Sequence, residues 1–463
     1  MESLDYRDFL DPMLGIWIQA PGSSEFQKFN SRASELVKSV EIVDDLKNPT
    51  KDSHIKVTLV NPRLSADEYL FSDNPSIFVG GALCVFFSSG GKLFTEANML
   101  SGQIREISPE FNEDGSSYLV ITAHSLSNKL ADTREGKKWD KSLNGYQIAE
   151  EVAKKHNLKV CKCGEPPSDN ANLNTDRVQP DNTSDFAFLT KLAADINYEC
   201  YVQNNILHFH KKETRQSNAF VLSYGMDDPK IVKSVKIKAK NNVASKGSIR
   251  GVDAKTKKPF EVKSNPGDVT KRNDKLLINQ RTGGSSIVDK IVSTVTGGSS
   301  NKNEVFESGG SDFGMSESYK PSENKNNIII PTSASKEVAT EKLKARLQRS
   351  ADKSVEISVE CLGHPYLRAG RIVQLVGVGP TYSGYYRIAK ATHKFEGAHG
   401  YTCSLELNGD SVGGGGSGSS GSASDDASST SNPSGKVTPG DNKTRVDQRD
   451  GSQTPVEPIP DRK

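Results

Sequence analysis

The sequence predicts an α+β chain dominated by β-strands. It would hold two similar β-barrels, a small α/β insert domain between them and a flexible C-terminal tail. Three observations predict this. One β-meander pattern occurs twice, far apart; a segment of helical periodicity separates the copies; and a Gly/Ser-rich run follows the second copy.

The repeat is readable residue by residue. Ile104 to Tyr118 reads IREISPEFNEDGSSY, and Ile388 to Tyr401 reads IAKATHKFEGAHGY. In each, a Phe lies seven residues after the Ile, a Gly-containing turn follows, and a Tyr opens a second strand. Upstream, the strand after Gly81 matches the one after Gly370, and Ile55-Lys-Val-Thr-Leu matches Val355-Glu-Ile-Ser-Val.

The first barrel is expected over residues 1–130. Strands are expected at Gly15-Ile-Trp-Ile and Val37 to Val43. Ile55 to Val60 alternates and stops at Asn61-Pro62, and Leu83 to Phe87 stops at a Ser/Gly run. Ile104 to Ile107 turns through Asn112 to Gly115 into Tyr118-Leu-Val-Ile-Thr. Short strands between turn residues mark a barrel or sandwich.

Residues 131–225 change character. Ile148, Ala149, Val152 and Ala153 share one helical face, with Asn144 and Gln147 spaced as a capping box. Asp185 to Ile196 is a second amphipathic helix with a Ser or Asp cap. A hairpin over Tyr198 to Phe209 turns at Asn204-Asn205. Strands return over 226–408, the second barrel: Ser234 to Lys240, then Ser248 to Asp253. A polar insertion of about 265–327 interrupts it, holding one apolar patch at Ile287 to Val292. A stretch of that length without strong periodicity is expected to be a functional or disordered loop. A helix over 336–350 places Val338, Ala339, Leu343 and Leu347 on one face. Residues 409–463 form the tail; seventeen of residues 411–435 are Gly or Ser, too few apolar groups to order themselves.

Composition excludes some classes. The net charge is +2, so no global field selects nucleic acid or an anionic membrane. Mean hydropathy is −0.58, lowered mainly by the insertion and the tail. The longest apolar run, Ile77 to Phe87, is interrupted by Gly80-Gly81 and is too short to span a bilayer. The N-terminus lacks the pattern of a secretion signal. Six scattered cysteines fit a reducing cytoplasm rather than a disulfide framework.

Four segments carry a resemblance. These are Gly102 to Phe111 with His124 to Leu130, Asp176 to Ala193 with the Tyr198 hairpin, Ser248 to Pro259, and Gly363 to Tyr386. In this order they resemble the late-control protein D family, the baseplate hubs of contractile phage tails, akin to the N-terminal part of VgrG. The match covers most of residues 1–408. The long insertion and the low-complexity tail depart from it, and no spike repeats follow. The resemblance implies tube-protein-like barrels in a homotrimer, whose six barrels form a pseudo-sixfold ring joining a hexameric tail tube to a trimeric spike. It implies tube, spike, tape-measure and baseplate wedge proteins as partners, no membrane anchoring, and DNA only in transit. It places the protein in the virion baseplate, assembled in the host bacterial cytoplasm. The alternatives are a wall-binding or muralytic tail module, or the hub of a bacterial contractile injection system.

No catalytic, cofactor-binding or metal residue is expected. Cys161-Lys-Cys163 with His208 and His210 is tighter than a zinc knuckle and has no second cysteine pair; ordinary thiols and solvent-facing imidazoles are expected. Lys236, Lys238 and Lys240 line one strand face; DNA passing through a tube would meet such a face through its phosphates, but without interleaved aromatics a solvated or subunit-facing stripe is expected. Asp185 and Asp195 are expected to be structural, since glycosidase chemistry needs two carboxylates across a cleft. Phe111, Tyr118, Phe395 and Tyr401 are expected in the barrel cores.

Overall fold

The computed structural model describes residues 13–47, 53–88, 98–140, 143–161, 178–203, 205–212, 219–225, 231–240, 246–253, 256–264, 325–329, 336–379, 381–397 and 400–409. All lie within one compact unit, residues 1–415. Most of the 265–327 insertion, all of the tail beyond 409, and Cys163 fall outside the described residues.

The first stretch contains β1 (Met13–Gln19), β2 (Phe26–Lys28), α1 (Ser31–Glu35), β3 (Val37–Asp45), β4 (His54–Val60), β5 (Ala82–Ser88), β6 (Asn98–Phe111), β7 (Ser117–Ser125) and α2 (Ser127–Asp132). The middle stretch contains β8 (Lys137–Lys138), α3 (Gly145–Lys155), β9 (Lys159–Val160), β10 (Val178–Gln179), α4 (Asp185–Asp195), β11 (Tyr198–Gln203) and β12 (Ile206–Lys211). The last contains β13 (Phe220–Ser223), β14 (Val232–Ala239), β15 (Lys246–Val252), β16 (Pro259–Lys263), β17 (Lys325–Ile329), α5 (Lys336–Ala351), β18 (Val355–Leu362), β19 (Ile372–Val376), β20 (Gly384–Glu396) and β21 (Gly400–Gly409). The chain is β-dominated, as the alternation of its strands predicts.

Thirteen strands form one sheet, in the order β14-β18-β21-β20-β3-β4-β7-β6-β5-β1-β2, with β19 beside β20 and β13 beside β19. The order contains the same unit twice. In the first copy it runs β3-β4-β7-β6-β5, and in the second β14-β18-β21-β20-β19. Irregularities recur at matching places. β3 slips against β4 between Val37 and Ser39, and β14 slips against β18 between Val232 and Ser234. β6 slips against β7 between Ile104 and Glu106, and β20 slips against β21 between Ile388 and Lys390. A β-bulge bends a strand and increases its twist, so matching bulges give the two units matching curvature. The path of pairing is open: among the described residues, β14 and β2 each pair with one strand.

The ladders also correct the letter-by-letter alignment of the copies. Gly80 N–H donates to Ile104 O at 2.8 Å, and Gly370 N–H donates to Ile388 O at 2.8 Å. Gly370 therefore corresponds to Gly80, not to Gly81. Phe111 pairs with Ser117, whereas Phe395 pairs with Tyr401. Tyr401 thus corresponds to Ser117, and Tyr118 lies one residue further along. One residue in a strand reverses the face: Tyr401 is buried and Tyr118 is half-buried on the opposite side. Ile55 corresponds to Ile357, since Ile55 pairs with Ala123 and Ile357 with Leu407.

Each copy has its own apolar core. The first gathers Ile42, Ile55, Val57, Leu83, Val85, Ile104 and Ile121. The second gathers Ile357, Val359, Val373, Leu375, Ile388, Leu405 and Leu407. A third core lies in the middle stretch, where Ile148, Val152, Leu189, Leu207 and Phe209 pack together. Both helices there start as their caps predict. Asn144 Oδ1 accepts from Gln147 N–H, and the Gln147 side chain accepts from Asn144 N–H, each at 2.8 Å. Ser184 Oγ accepts from Ala187 N–H at 3.2 Å. α5 packs Ala339, Leu343 and Leu347 on Ile249 and Val262 of the β15–β16 pair.

Gly80 and Gly370 take φ of +97° and +92°, a region that L side chains occupy only under strain. Gly80→Ala and Gly370→Ala are each expected to cost about 1–3 kcal/mol, read as lower urea midpoints. Gly397→Ala, in a turn with open space around it, should leave the midpoint unchanged.

Candidate assembly interface

The two copies meet edge to edge. β3 pairs with β20 from Lys390↔Asp45 to Glu396↔Ser39, while its other edge pairs with β4. On the face away from the apolar layer Lys394 Nζ lies 3.0 Å from Glu41 Oε2, Lys390 Nζ 3.6 Å from the buried Asp45 Oδ2, and Lys47 Nζ 2.7 Å from Glu406 Oε2. On the inner face Tyr401 belongs to the first copy's core, stacked on Phe87 at 4.5 Å between centroids. Phe395 packs partly buried beside it. The seam therefore combines a backbone ladder, a row of opposite charges and a shared apolar layer.

Behind the seam, polar groups are buried. His393 Nε2 donates to Leu367 O at 3.0 Å, which leaves Nδ1 to accept from Tyr401 Oη at 2.8 Å. Burial, helped by the Arg368 charge, pushes His393 down to about 3, so it is neutral. Asp44 sits 3.8 Å from Arg368 Nε. Burial raises its carboxyl despite that cation. His208 stacks on Tyr201 at 4.5 Å and is pushed down to about 4 by burial and then by His210 and Arg368. Glu199 of β11 binds Arg387 of β20, and Lys212 Nζ lies 3.1 Å from Asp352 Oδ2. These pairs fasten the middle stretch to the second copy. Buried ion pairs add little net stability, but a surviving partner left alone is costly.

The residues singled out in the sequence fall as follows. His210 is buried, with Nδ1 2.9 Å from Lys211 O, and His208 is half-buried. This corrects the expectation of solvent-facing imidazoles: Tyr201 stacks on His208 and lies edge-on to His210, so their strand face is packed against an aromatic ring rather than open to water. Cys161 is disulfide-bonded and not a free thiol, whereas Cys84, Cys200, Cys361 and Cys403 are free. No cluster among the described residues has the makings of a metal site. Asp185 is buried and accepts from Gln179 Nε2 at 2.7 Å, His156 Nε2 at 2.8 Å and Lys155 Nζ at 3.3 Å. Burial raises its carboxyl, but these donors outweigh it and the net shift is downward. It joins the end of α3 to the start of α4. Asp195 Oδ2 lies 3.0 Å from Lys342 Nζ and ties α4 to α5.

Lys236 and Lys238 are exposed on one face of β14, and Lys240 lies 2.6 Å from Glu356 on the same side. Phe111 departs from expectation. It is 57% exposed at the end of the β6–β7 hairpin. It lines a cleft of about 320 Å³ with Val60, Arg63, Tyr69 and Tyr118. Phe395, its counterpart, is covered because β3 lies against β20; among the described residues nothing pairs with that edge of β6. Tyr118 is likewise outside the core, with Lys38 Nζ 3.7 Å from its ring centroid.

Two solved structures match nearly the whole of their own chains. The 43 kDa tail protein of prophage MuSo2 from Shewanella oneidensis aligns over 85% of this chain and 98% of its own, at 13% identity and a TM-score of 0.53. A tail protein from Neisseria meningitidis MC58 aligns over 86% and 97%, at 11% identity and a TM-score of 0.52. This chain has the fold of phage tail proteins. The YQBQ-like family model matches residues 330–408, from just before α5 to the end of the second copy. No curated protein sequence matches the chain.

Two outcomes are expected. Glu199→Ala leaves Arg387 buried without its carboxylate and should cost about 3–5 kcal/mol, read by urea unfolding. His393 and His208 hold folded values of about 3 and about 4 against an ordinary 6.5. The unfolded chain then binds more protons below 6.5, so stability is full above that pH and falls as pH drops toward 3. His208→Phe, which keeps the ring on Tyr201, should flatten part of that fall in midpoints measured between pH 7 and 4.

Proposed function

We propose that this chain is the structural hub of a contractile tail, a homotrimer that presents six similar units to a hexameric tube and three copies to a trimeric spike. The observation that carries the reading is the repeated five-strand unit, with matching bulges, joined through β3 and β20. Two quasi-equivalent units per chain turn threefold symmetry into near-sixfold symmetry, because a closed ring must reuse one contact at every step. The fold shared with prophage tail proteins supports a structural role in a tail.

In this reading residues 1–130 and 226–408 are two tube-like barrels around the two cores. Residues 131–225 form the α/β insert domain around the third, and 409–463 is a tail outside them. The role is non-enzymatic. Asp185, the most buried carboxylate of the middle helices, is held ionised by three donors and is poorly suited to serve as a general acid. The partners are the tube, spike, tape-measure and baseplate wedge proteins, with DNA at most in transit. The protein would act in the virion baseplate after assembly in the bacterial cytoplasm, and the same mechanics would serve a bacterial injection system.

Solution mass tests this. Light scattering on the purified chain should give three times 50.3 kDa. A stable hexamer would contradict it, because six chains would carry twelve units.

A further inference from the structure

We propose that the free edge of β14 adds to the free edge of β6 in a second copy of this chain, in a defined register whose charges are reversed relative to the seam inside the chain. The proposal rests on the trimeric reading above and specifies its contact.

The argument begins from the internal seam. There β3 of the first copy lies against the C-terminal half of β20 of the second. The matching strands are β14 and β6. Among the described residues β14 pairs only with β18, and the C-terminal half of β6 pairs only with β7. Each chain therefore holds one completed seam and the two halves of another. An exposed strand edge is a template for pairing with a further chain.

The bulges fix the register. Ser39 corresponds to Ser234, and Lys390 to Glu106, because each directly follows its slip in the ladder. Transferring the internal pairs onto the free edges places Glu106 opposite Lys240, Ser108 opposite Lys238 and Glu110 opposite Lys236. It places Phe111 opposite Val235. In the internal seam the matching pairs are Lys390 with Asp45, Lys394 with Glu41, and Phe395 with Val40. Both seams thus join opposite charges on one face and an aromatic to a valine on the other. The exposed Phe111 gains the cover that Phe395 already has. Pro109 falls opposite Ile237 and has no N–H to donate, so side chains carry more of this ladder than of the internal one.

The reversal of sign has its own effect. The acids are on β3 and the lysines on β20 inside the chain; between chains the lysines are on β14 and the glutamates on β6. If β14 met β20 of another chain, Lys236 and Lys240 would face Lys394 and Lys390. If β3 met β6, Glu41 and Asp45 would face Glu110 and Glu106. Like charges directly opposite are unfavourable. Only alternation of first and second copies satisfies every seam, which is what a ring built from whole chains requires.

The test uses the full chain. Phe111→Cys with Val235→Cys should form an intermolecular disulfide on mild oxidation, since directly opposed strand residues lie within disulfide reach. Phe111→Cys with Lys233→Cys, displaced along the strand, should not. Lys236→Glu with Lys240→Glu should weaken self-association roughly tenfold or more, and adding Glu106→Lys with Glu110→Lys should restore it. Circular dichroism and the urea midpoint establish that each variant folds. A trimer that forms without the 111–235 crosslink, and that ignores charge reversal, overturns this register and leaves the trimeric reading standing. A chain that stays monomeric at every concentration overturns both.

Discussion

The β3–β20 ladder is the constraint on which the rest of the structure depends. Among the described residues β3 is the only strand of the first copy that pairs with the second, and both of its edges are used. Backbone hydrogen bonds in a ladder fix spacing and direction, but not which residue faces which. Here the register is set by the apolar layer under it, where Phe87 of the first copy stacks on Tyr401 of the second. Slipping one residue would turn Val40 and Ile42 out of the core and bring Glu41 in. The two cores are therefore locked in a single relation, and any contact that treats the copies as equivalent inherits it.

The buried charges serve the same end by other means. Glu199 with Arg387 and Lys212 with Asp352 both reach from the middle stretch to the second copy. Desolvation offsets most of the attraction within such pairs. Their use lies in geometry, because a guanidinium or ammonium cut off from water accepts few alternative positions. His393 does comparable work without charge, holding Tyr401 from one ring nitrogen and the Leu367 carbonyl from the other.

Much of this architecture is legible in the sequence, because strand alternation and helix periodicity follow directly from burial. The Asn144–Gln147 box starts its helix as read, and the duplicated meander is real. The equivalences within it differ from the letter pattern where letters and backbone disagree. Gly81 and Gly370 look alike as letters, but Gly80 is the residue whose positive φ matches that of Gly370. Tyr118 and Tyr401 both open a strand, yet the first hairpin has one residue more between Phe and Tyr, and a strand converts that residue into the opposite face. The burial of His208 and His210 was not legible, since hairpin alternation alone does not say that Tyr201 of the paired strand lies over both rings. Neither was the exposure of Phe111, whose pattern is that of a core residue.

The connection between the first two strands of the unit differs sharply between copies. In the first copy residues 46–53 join β3 to β4; in the second, residues 240–354 join β14 to β18 and include β15–β17 and α5. These connections occupy corresponding ends of corresponding strands. The duplication is thus uneven: along the strands the copies repeat each other, while at one rim the first copy's connection is short and the second's carries three strands and a helix. A surface that touches the shared strands meets the same object twice per chain, and a surface that touches that rim meets two different objects. One polypeptide can in this way count differently from its two ends.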